Sequence, residues 1–453
     1  MYMEELSMKT ITKIVCLLLC LGMIGSVFAA CSSPKGPGLM PSSTTEDSKQ
    51  KNNSQEEPKG LQYTLLENGT YEVSVGTELD ALSIEIPAVY QGIEVSSIAE
   101  RAFDGCSALE RIVIPNGIKM IGNGAFEGCV RLQNVTIPAS VTRIGDGVFG
   151  YCESLASITV VPANKEYSSI DGVLYNKDKN QLVQYAPGKT ATTFDIPISV
   201  TSIRNEAFLG CLNLTNIKIP GNMTAIGEEA FKDCDALAQI SIPEKITHIA
   251  AGTFRNCDKL ESVTMEDGVE NIGVSAFENC ASLTVLDLPN SLQTIENSAF
   301  KNCVLLKTID LPDDITKIGY DAFYQTGYYQ ESKNWENNVL YLGKHLIVAK
   351  NGPSDTYTVK EGTKTIADHA FSNCFDWTEI IFSQSLVSVG DCAFYWCSDL
   401  KVVTIFGNVT KLGASSFESC FNLEKIAYKG SEAQWESVEK SEAKIPEVVI
   451  DFS

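Results

Sequence analysis

The sequence predicts a repeat solenoid built of 23-residue units, and three observations predict it. Phenylalanine recurs at 103, 126, 149, 208, 231, 254, 277, 300, 323, 371, 394 and 417, always 23 residues on except for two longer steps. Three residues after each one stands a cysteine, from Cys106 to Cys420, with Thr326 filling the one exception. Between successive pairs runs a short alternating segment that often ends in proline, such as Val135-Thr136-Ile137-Pro138. A unit this short buries its apolar face only by stacking on its neighbours, so self-similarity at this period marks a solenoid.

The unit reads approximately AFxxCxxLxxIxIPxxVTxIGxx. Its LxxIxI part, as in Leu132, Val135 and Ile137 or Leu283, Leu286 and Leu288, is the leucine-rich repeat signature. Alternation in VTI or LDL predicts a strand with one buried face. Pro115, Pro138, Pro220, Pro289 and Pro312 end such strands, because proline has no N–H for the ladder. The AF segment suits one helical turn. Gly105, Gly128, Gly210, Asn256, Asn279, Asn302 and Asn373 stand just before the slot cysteine. Glycine and asparagine tolerate the left-handed conformation that stops such a turn.

Residues 1–30 form a separate unit. Lys9 and Lys13 precede an apolar run, Ile14 to Ala29, that is short for a membrane span and has the shape of a signal-peptide core. Glu4 and Glu5 fit such a segment poorly, and a start at Met8 removes them. The run ends in Phe28-Ala29-Ala30-Cys31. Small residues directly before a cysteine resemble the lipobox of bacterial lipoproteins, although leucine is commoner where Phe28 stands. The resemblance implies cleavage before Cys31 and a diacylglyceryl thioether on its sulfur. An ordinary signal peptide cut after Ala30 is the alternative. Two acyl chains suffice for stable anchoring. Residues 31–60 are rich in Ser, Pro, Gly, Lys and Glu, with little to bury, and read as a flexible tether.

The repeat pattern, from about Leu61 to Ser453, is similar to the BspA-like leucine-rich repeat family. The resemblance implies a curved parallel β-sheet with short helical turns, two β-hairpin inserts and terminal caps. The inserts, at about 161–193 and 327–354, carry the paired "VLY" strands Val173–Tyr175 and Val339–Tyr341 and account for the two long steps. The caps are expected at about 61–92 and 426–453 and would cover open sheet edges.

Cysteine totals 15. Cys16 and Cys20 leave with the signal and Cys31 takes the lipid, so twelve remain: the column and Cys392. An even number in an exported protein suggests disulfides. Geometry argues otherwise: equivalent side chains in stacked coils lie about 4.8 Å apart and point the same way, while bridged Cβ atoms want about 3.8 Å. The column reads as buried free thiols packed under the phenylalanines, and a line of thiols is no tetrahedral metal site. Cys392, off the column, is the thiol expected to react.

No catalytic constellation emerges. The three histidines, His248, His345 and His369, sit in no metal or triad motif. Asn176–Asn180 imitates an EF-hand start but lacks the sixth-position glycine and has Pro187 where the bidentate glutamate belongs, so it reads as a turn. No cofactor is expected. A formal charge of −22 repels phosphate backbones and makes nucleic acid an unlikely partner. The outward strand positions, from Val113 through Thr136, Thr159, Asp195 and Lys218 to Thr404, make a mostly polar ribbon. Aromatics gather toward the C-terminal end, and Tyr328, Tyr329, Trp335, Tyr395 and Trp396 are the candidate ligand-binding residues, because aromatics dominate binding hot spots and stack on sugars. Tyr395 and Trp396 lie in a variable turn, which predicts that at least one of them is exposed.

These features point to a non-catalytic binding protein, exported and lipid-anchored to the bacterial cell envelope, facing outward. Its expected partner is an extracellular protein or glycan, and its role, by family analogy, is adhesion. The alternative is an envelope lipoprotein that captures glycans or peptides for an uptake system. Cys31→Ser removes the thioether site. The variant is expected to leave the membrane fraction and to carry no labelled acyl chain, and retention of either property contradicts the lipobox reading.

Overall fold

A computed structural model describes residues 60–77, 80–352, 355–440 and 442–452. The signal peptide, Cys31 and the tether lie outside the described residues. The rest is a parallel β-solenoid with little helix.

Each regular coil carries two strands, where the sequence suggested one sheet. The first is the expected one, Asn134–Ile137 or Gln239–Ile242 for example, and it joins a parallel long ladder. The second has two residues, as in Arg143–Ile144 or Asn271–Ile272, and forms a parallel short ladder on another side of the coil. It comes from the VTxIG part of the unit, which is too brief to show alternation. Register is strict: Ser262, Val263 and Thr264 lie opposite Val285, Leu286 and Asp287, each one repeat later. A one-residue slip would turn Val263 outward and expose the core face.

The AF segments are hydrogen-bonded turns. Cys257 N–H closes on Phe254 O (3.2 Å), and Phe254 N–H reaches Ala276 O of the next coil (2.8 Å). The left-handed position is held by Gly128, Asn256, Asn279 or Asn302, with φ of 68°, 60°, 63° and 62°. The asparagines also form an amide ladder: Asn302 donates to Asn279 (2.8 Å), Asn279 to Asn256 (2.7 Å) and Asn256 to Asp233 (2.7 Å).

The phenylalanines are fully buried and stacked. Phe254 lies 5.3 Å from Phe231 and 5.2 Å from Phe277, with ring planes 2° and 10° apart. The cysteines are free, as their geometry required, and they have a use that spacing alone did not reveal. Eight of them donate their S–H to the phenylalanine carbonyl of the preceding coil, among them Cys257 to Phe231 (3.1 Å), Cys280 to Phe254 (3.2 Å) and Cys397 to Phe371 (3.0 Å), whereas Cys374, after the second insert, reaches Ala349 O (3.7 Å). Thr326 differs. It donates to Phe323 O of its own coil (2.9 Å) and caps a short helix, Gly327–Gln330, that opens the second insert.

The first insert contains strands Tyr167–Ile170, Val173–Asn176 and Gln181–Gln184. It is a wall between two cores. Val173, Tyr175, Leu182 and Tyr185 pack into the C-terminal core, while Leu174, Val183 and Ala186 pack into the N-terminal one. Tyr185 stands one repeat before Phe208 and stacks on it at 5.3 Å, so it serves as that coil's phenylalanine. Across the wall the coils are rejoined by side chains. Arg204 donates to Ile144 O (2.9 Å) and pairs with Asp146, and Tyr151 donates to Asp233. The EF-hand-like stretch is a turn, with Asn176 Oδ1 accepting from Asn180 N (3.1 Å) and Gln181 N (3.0 Å).

The second insert carries strands Trp335–Glu336, Val339–Leu342 and His345–Ala349. Just before it, Thr308–Leu311 was expected as a strand, yet it joins no ladder. Pairing would set Asp310 beside Asp287, an unfavourable like-charge neighbour. The carbonyls of Cys303 and Leu306 are taken by Gly327 and Tyr328 of the insert instead.

Phe254→Ala is expected to cost about 3–5 kcal/mol, because the cavity opens between two stacked rings that cannot both close on it. Chemical denaturation with probes on neighbouring coils should show the loss spread beyond the mutated coil, since coils share interfaces. A loss under about 1 kcal/mol contradicts a shared buried column.

Candidate binding surface at the second insert

Two aromatic groups occupy the AF-turn side here. In the first, Tyr324 is exposed, and Tyr328, Tyr329 and Trp335 are half-buried against the core. Their polar ends are fixed: Tyr328 hydroxyl donates to Tyr341 O (2.9 Å) and Trp335 Nε1 to Tyr329 O (2.7 Å). Tyr329 meets Tyr324 and Trp335 edge-to-face, at 5.2 Å and 5.1 Å. Lys350 Nζ lies 3.7 Å from the Trp335 ring centre, and Lys301 Nζ lies 5.4 Å from that of Tyr324. These cation–π contacts hold both ammonium groups beside the rings. The rings thus bind the insert to the coils and leave an aromatic and cationic rim.

The second group is Tyr395 and Trp396, with ring centres 6.0 Å apart at 69°. Both are half-buried, whereas their variable turn predicts that at least one is exposed. Trp396 occupies the left-handed slot at φ 58°, which costs a bulky side chain more than glycine or asparagine. Tyr151 occupies the same slot at φ 55°, and its hydroxyl reaches Asp233. Trp396 has only Tyr395 as a ring neighbour among the described residues, so tethering of this kind does not account for it. No ring contact joins the two aromatic groups among the described residues. The outward ribbon of the long ladder is open, with Thr136, Thr159, Asp195, Lys218, Ser241, Thr264 and Asp287 all exposed.

A third feature was not found from sequence. On the short-ladder side, strand Lys317–Ile318 meets Thr365–Ile366 and Ser388–Val389 through two side-chain bonds and one backbone bond, without a ladder. Thr365 donates to Ile315 O (3.0 Å), Ser388 donates to Thr316 O (3.0 Å), and Asp368 N–H reaches Ile318 O (2.8 Å). The corner encloses a cleft of about 490 Å³ lined by Asp314, Thr316, Lys364, Asp368, Asp391 and Lys411, among others. Asp368 is 7% exposed, and its Oδ1 accepts from Asp391 N (2.8 Å). Burial and the neighbouring Asp391 push its carboxyl up to about 6, against the backbone bond that lowers it. The available signal was the column itself: Asn123, Asn205 and Asn297 accept the same coil-to-coil bond.

Cys392 is not the activated thiol that its off-column place suggested. It is half-buried, and burial with Asp391, Glu418 and Asp368 nearby raises its pKa and disfavours the thiolate. His345 is buried, with Nε2 3.0 Å from Pro312 O, and burial holds its pKa below the usual value. Among the described residues no group of three metal-competent side chains comes together, and no helix is long and apolar enough to cross a membrane.

The family model described as BspA type leucine rich repeat region (6 copies) matches residues 81–177, 187–303, 270–347 and 352–438. The chain belongs to this family. BspA-type repeats therefore account for nearly all of the solenoid, and the match describes a repeat region rather than an enzyme. Among solved structures, the chain is similar to a leucine-rich repeat protein from Bacteroides ovatus (25% identity, 87% of this chain and 98% of that one, TM-score 0.39). It is also similar to one from Eubacterium ventriosum (24%, 62% and 96%, TM-score 0.40) and to a leucine rich cell surface protein from Faecalibacterium prausnitzii (22%, 85% and 97%, TM-score 0.32). No curated protein matches the chain.

Asp368→Asn keeps the Oδ1 acceptor and removes the buried charge of this BspA-type coil. The folded carboxyl holds its proton up to about pH 6, against 3.8 for the ordinary group. The wild type therefore loses stability as pH rises through that window, and the loss is complete above it. The variant is expected to gain about 1–3 kcal/mol over wild type at pH 7.5 and nothing below about pH 4. Urea titrations across that range check this. His345 contributes the opposite slope, with stability lost as pH falls below its unfolded value, but it does so equally in both proteins.

Proposed function

We infer that this chain is a non-catalytic cell-surface binding protein, adhesin-like, that recognises an extracellular protein or glycan through its solenoid. The observation that carries this reading is the aromatic rim at the second insert, where Tyr324 and Trp335 flank Tyr329 and Lys350 lies against the Trp335 ring. Rigid aromatics lose little entropy on binding, and desolvated ones are the usual hot spots. The polar ribbon of the long ladder supplies a further extended surface, as solenoids typically do. Membership of the BspA-type family supports a binding rather than a catalytic role. Export and a lipid anchor at Cys31 complete the reading, and the tether of residues 32–60 would hold the solenoid clear of the membrane.

Tyr328, Tyr329 and Trp335 also hold the insert in place, so their truncation tests stability together with binding. Tyr324 and Trp396 separate the two. The pair Tyr324→Ala with Trp396→Ala is expected to weaken binding to a matrix-protein or glycan array by at least about thirtyfold, the equivalent of 2 kcal/mol, with the thermal midpoint retained. The pair Thr136→Ala with Thr159→Ala, on the N-terminal ribbon, is expected to leave binding unchanged. The reverse pattern would move recognition to the ribbon.

A further inference from the structure

The geometry points to a binding site for a primary ammonium group in the cleft at the second insert, received by the carboxylates of Asp368 and Asp391. Where the column that holds these residues makes its coil-to-coil bond, an uncharged side-chain oxygen is enough. Asn123 accepts from Asp146 N (3.0 Å), Asn205 from Glu228 N (3.0 Å) and Asn297 from Tyr320 N (2.8 Å), all without charge. Where the first insert places a carboxylate in the column, at Asp146, a cation accompanies it: Arg204 pairs with it, and Asn205 donates to its other oxygen (3.3 Å).

At the second insert two carboxylates follow each other, and no ion pair engages either of them. Asp368 Oδ1 accepts from Asp391 N, and Asp391 Oδ1 accepts from Ala414 N (2.8 Å). The second oxygen of Asp368 takes no hydrogen bond among the described residues, although the side chain is nine-tenths buried and lines the cleft. Lys317 is the ammonium that influences both, but its Nζ is held by Glu296 at 3.1 Å, which brings in a further negative charge. The other charged walls cancel in pairs: Lys364 with Asp314 (3.3 Å), Lys411 with Glu439 (3.3 Å), and Lys344 with Asp313. What remains uncompensated in the cleft is therefore the Asp368 and Asp391 pair.

An organic cation suits the pair better than a metal, because among the described residues no third metal-competent side chain joins the two. An ammonium suits them: it brings three donors, and charge-assisted bonds to two carboxylates use them well. The cleft volume, about 490 Å³, admits a body of one or two sugar rings or a lysine side chain, with Thr316 and Thr410 at its walls. The ammonium of an amino sugar and that of a lysine side chain are the two sources of this chemistry.

Calorimetric titration of the full-length chain with glucosamine and with L-lysine amide separates them, with N-acetylglucosamine and norleucine amide as uncharged counterparts. At least one ammonium probe is expected to bind and its counterpart to bind at least tenfold more weakly. Binding by one probe alone names the source. Asp368→Asn with Asp391→Asn should reduce that binding at least tenfold while the thermal midpoint is kept or raised. No heat with either ammonium probe, equal binding of the uncharged counterpart, or undiminished binding by a folded double variant overturns the proposal. The comparison of probes on wild type needs no variant at all. Tyr324→Ala with Trp396→Ala should leave ammonium binding intact, so failure at the aromatic rim and failure here are distinguishable.

Discussion

Eight phenylalanine carbonyls each receive two hydrogen bonds, one from the N–H of their own coil's cysteine and one from the S–H of the next coil's cysteine. That double acceptance ties neighbouring coils at their most buried point, directly beside the ring stack. It explains a cysteine column that forms no disulfide. A serine there would bring a more polar group into an apolar stack, and an alanine would leave a void and one bond fewer. The thiol is small and soft, and it is a donor just strong enough to matter. Burial raises the thiols' pKa, with Cys129 and Cys303 at about 12, which keeps them protonated and able to donate.

The inserts are the places where this tie is interrupted, and the molecule replaces it each time with side chains. At the first, the buried Asn164 amide donates to Pro138 O (2.8 Å) and Val141 O (3.0 Å), while Arg204 and Tyr151 reach across. At the second, Thr365, Ser388 and the Tyr341–Tyr357 hydroxyl pair (2.7 Å) make the join. Side-chain joins are less regular than ladders. They leave room between coils, and both the aromatic rim and the cleft lie at the second of them. A solenoid made of uniform coils would offer only its repeating faces, and its departures from the repeat create local chemistry.

A period of 23 with fixed slots was enough to specify the solenoid, the buried rings and the unbridged thiols, because each follows from stacking identical units. The long strands were legible from Val135-Thr136-Ile137 and its equivalents through their two-residue alternation. The short ladder was not, since a strand such as Arg143–Ile144 has no alternation to read. Thr308–Leu311 carried the strand pattern and did not pair, since pairing would set Asp310 beside Asp287. Tyr185 as a stand-in phenylalanine was visible only by counting back from Phe208.

For the candidate surfaces the division is similar. Composition pointed to the aromatic cluster between Tyr324 and Trp396, since tyrosine and tryptophan are dense there. Only the tertiary structure showed that Tyr328 and Trp335 are anchored by their polar ends while Tyr324 is exposed at the rim. The acidity around Cys392 and the pairing of Asp368 with Asp391 come from coils lying against each other. Sequence by itself determined what every coil shares, because stacking forces equivalent residues into equivalent places. The tertiary structure decided what happens where the repeat is broken, because there a side chain's neighbours come from coils that no period relates.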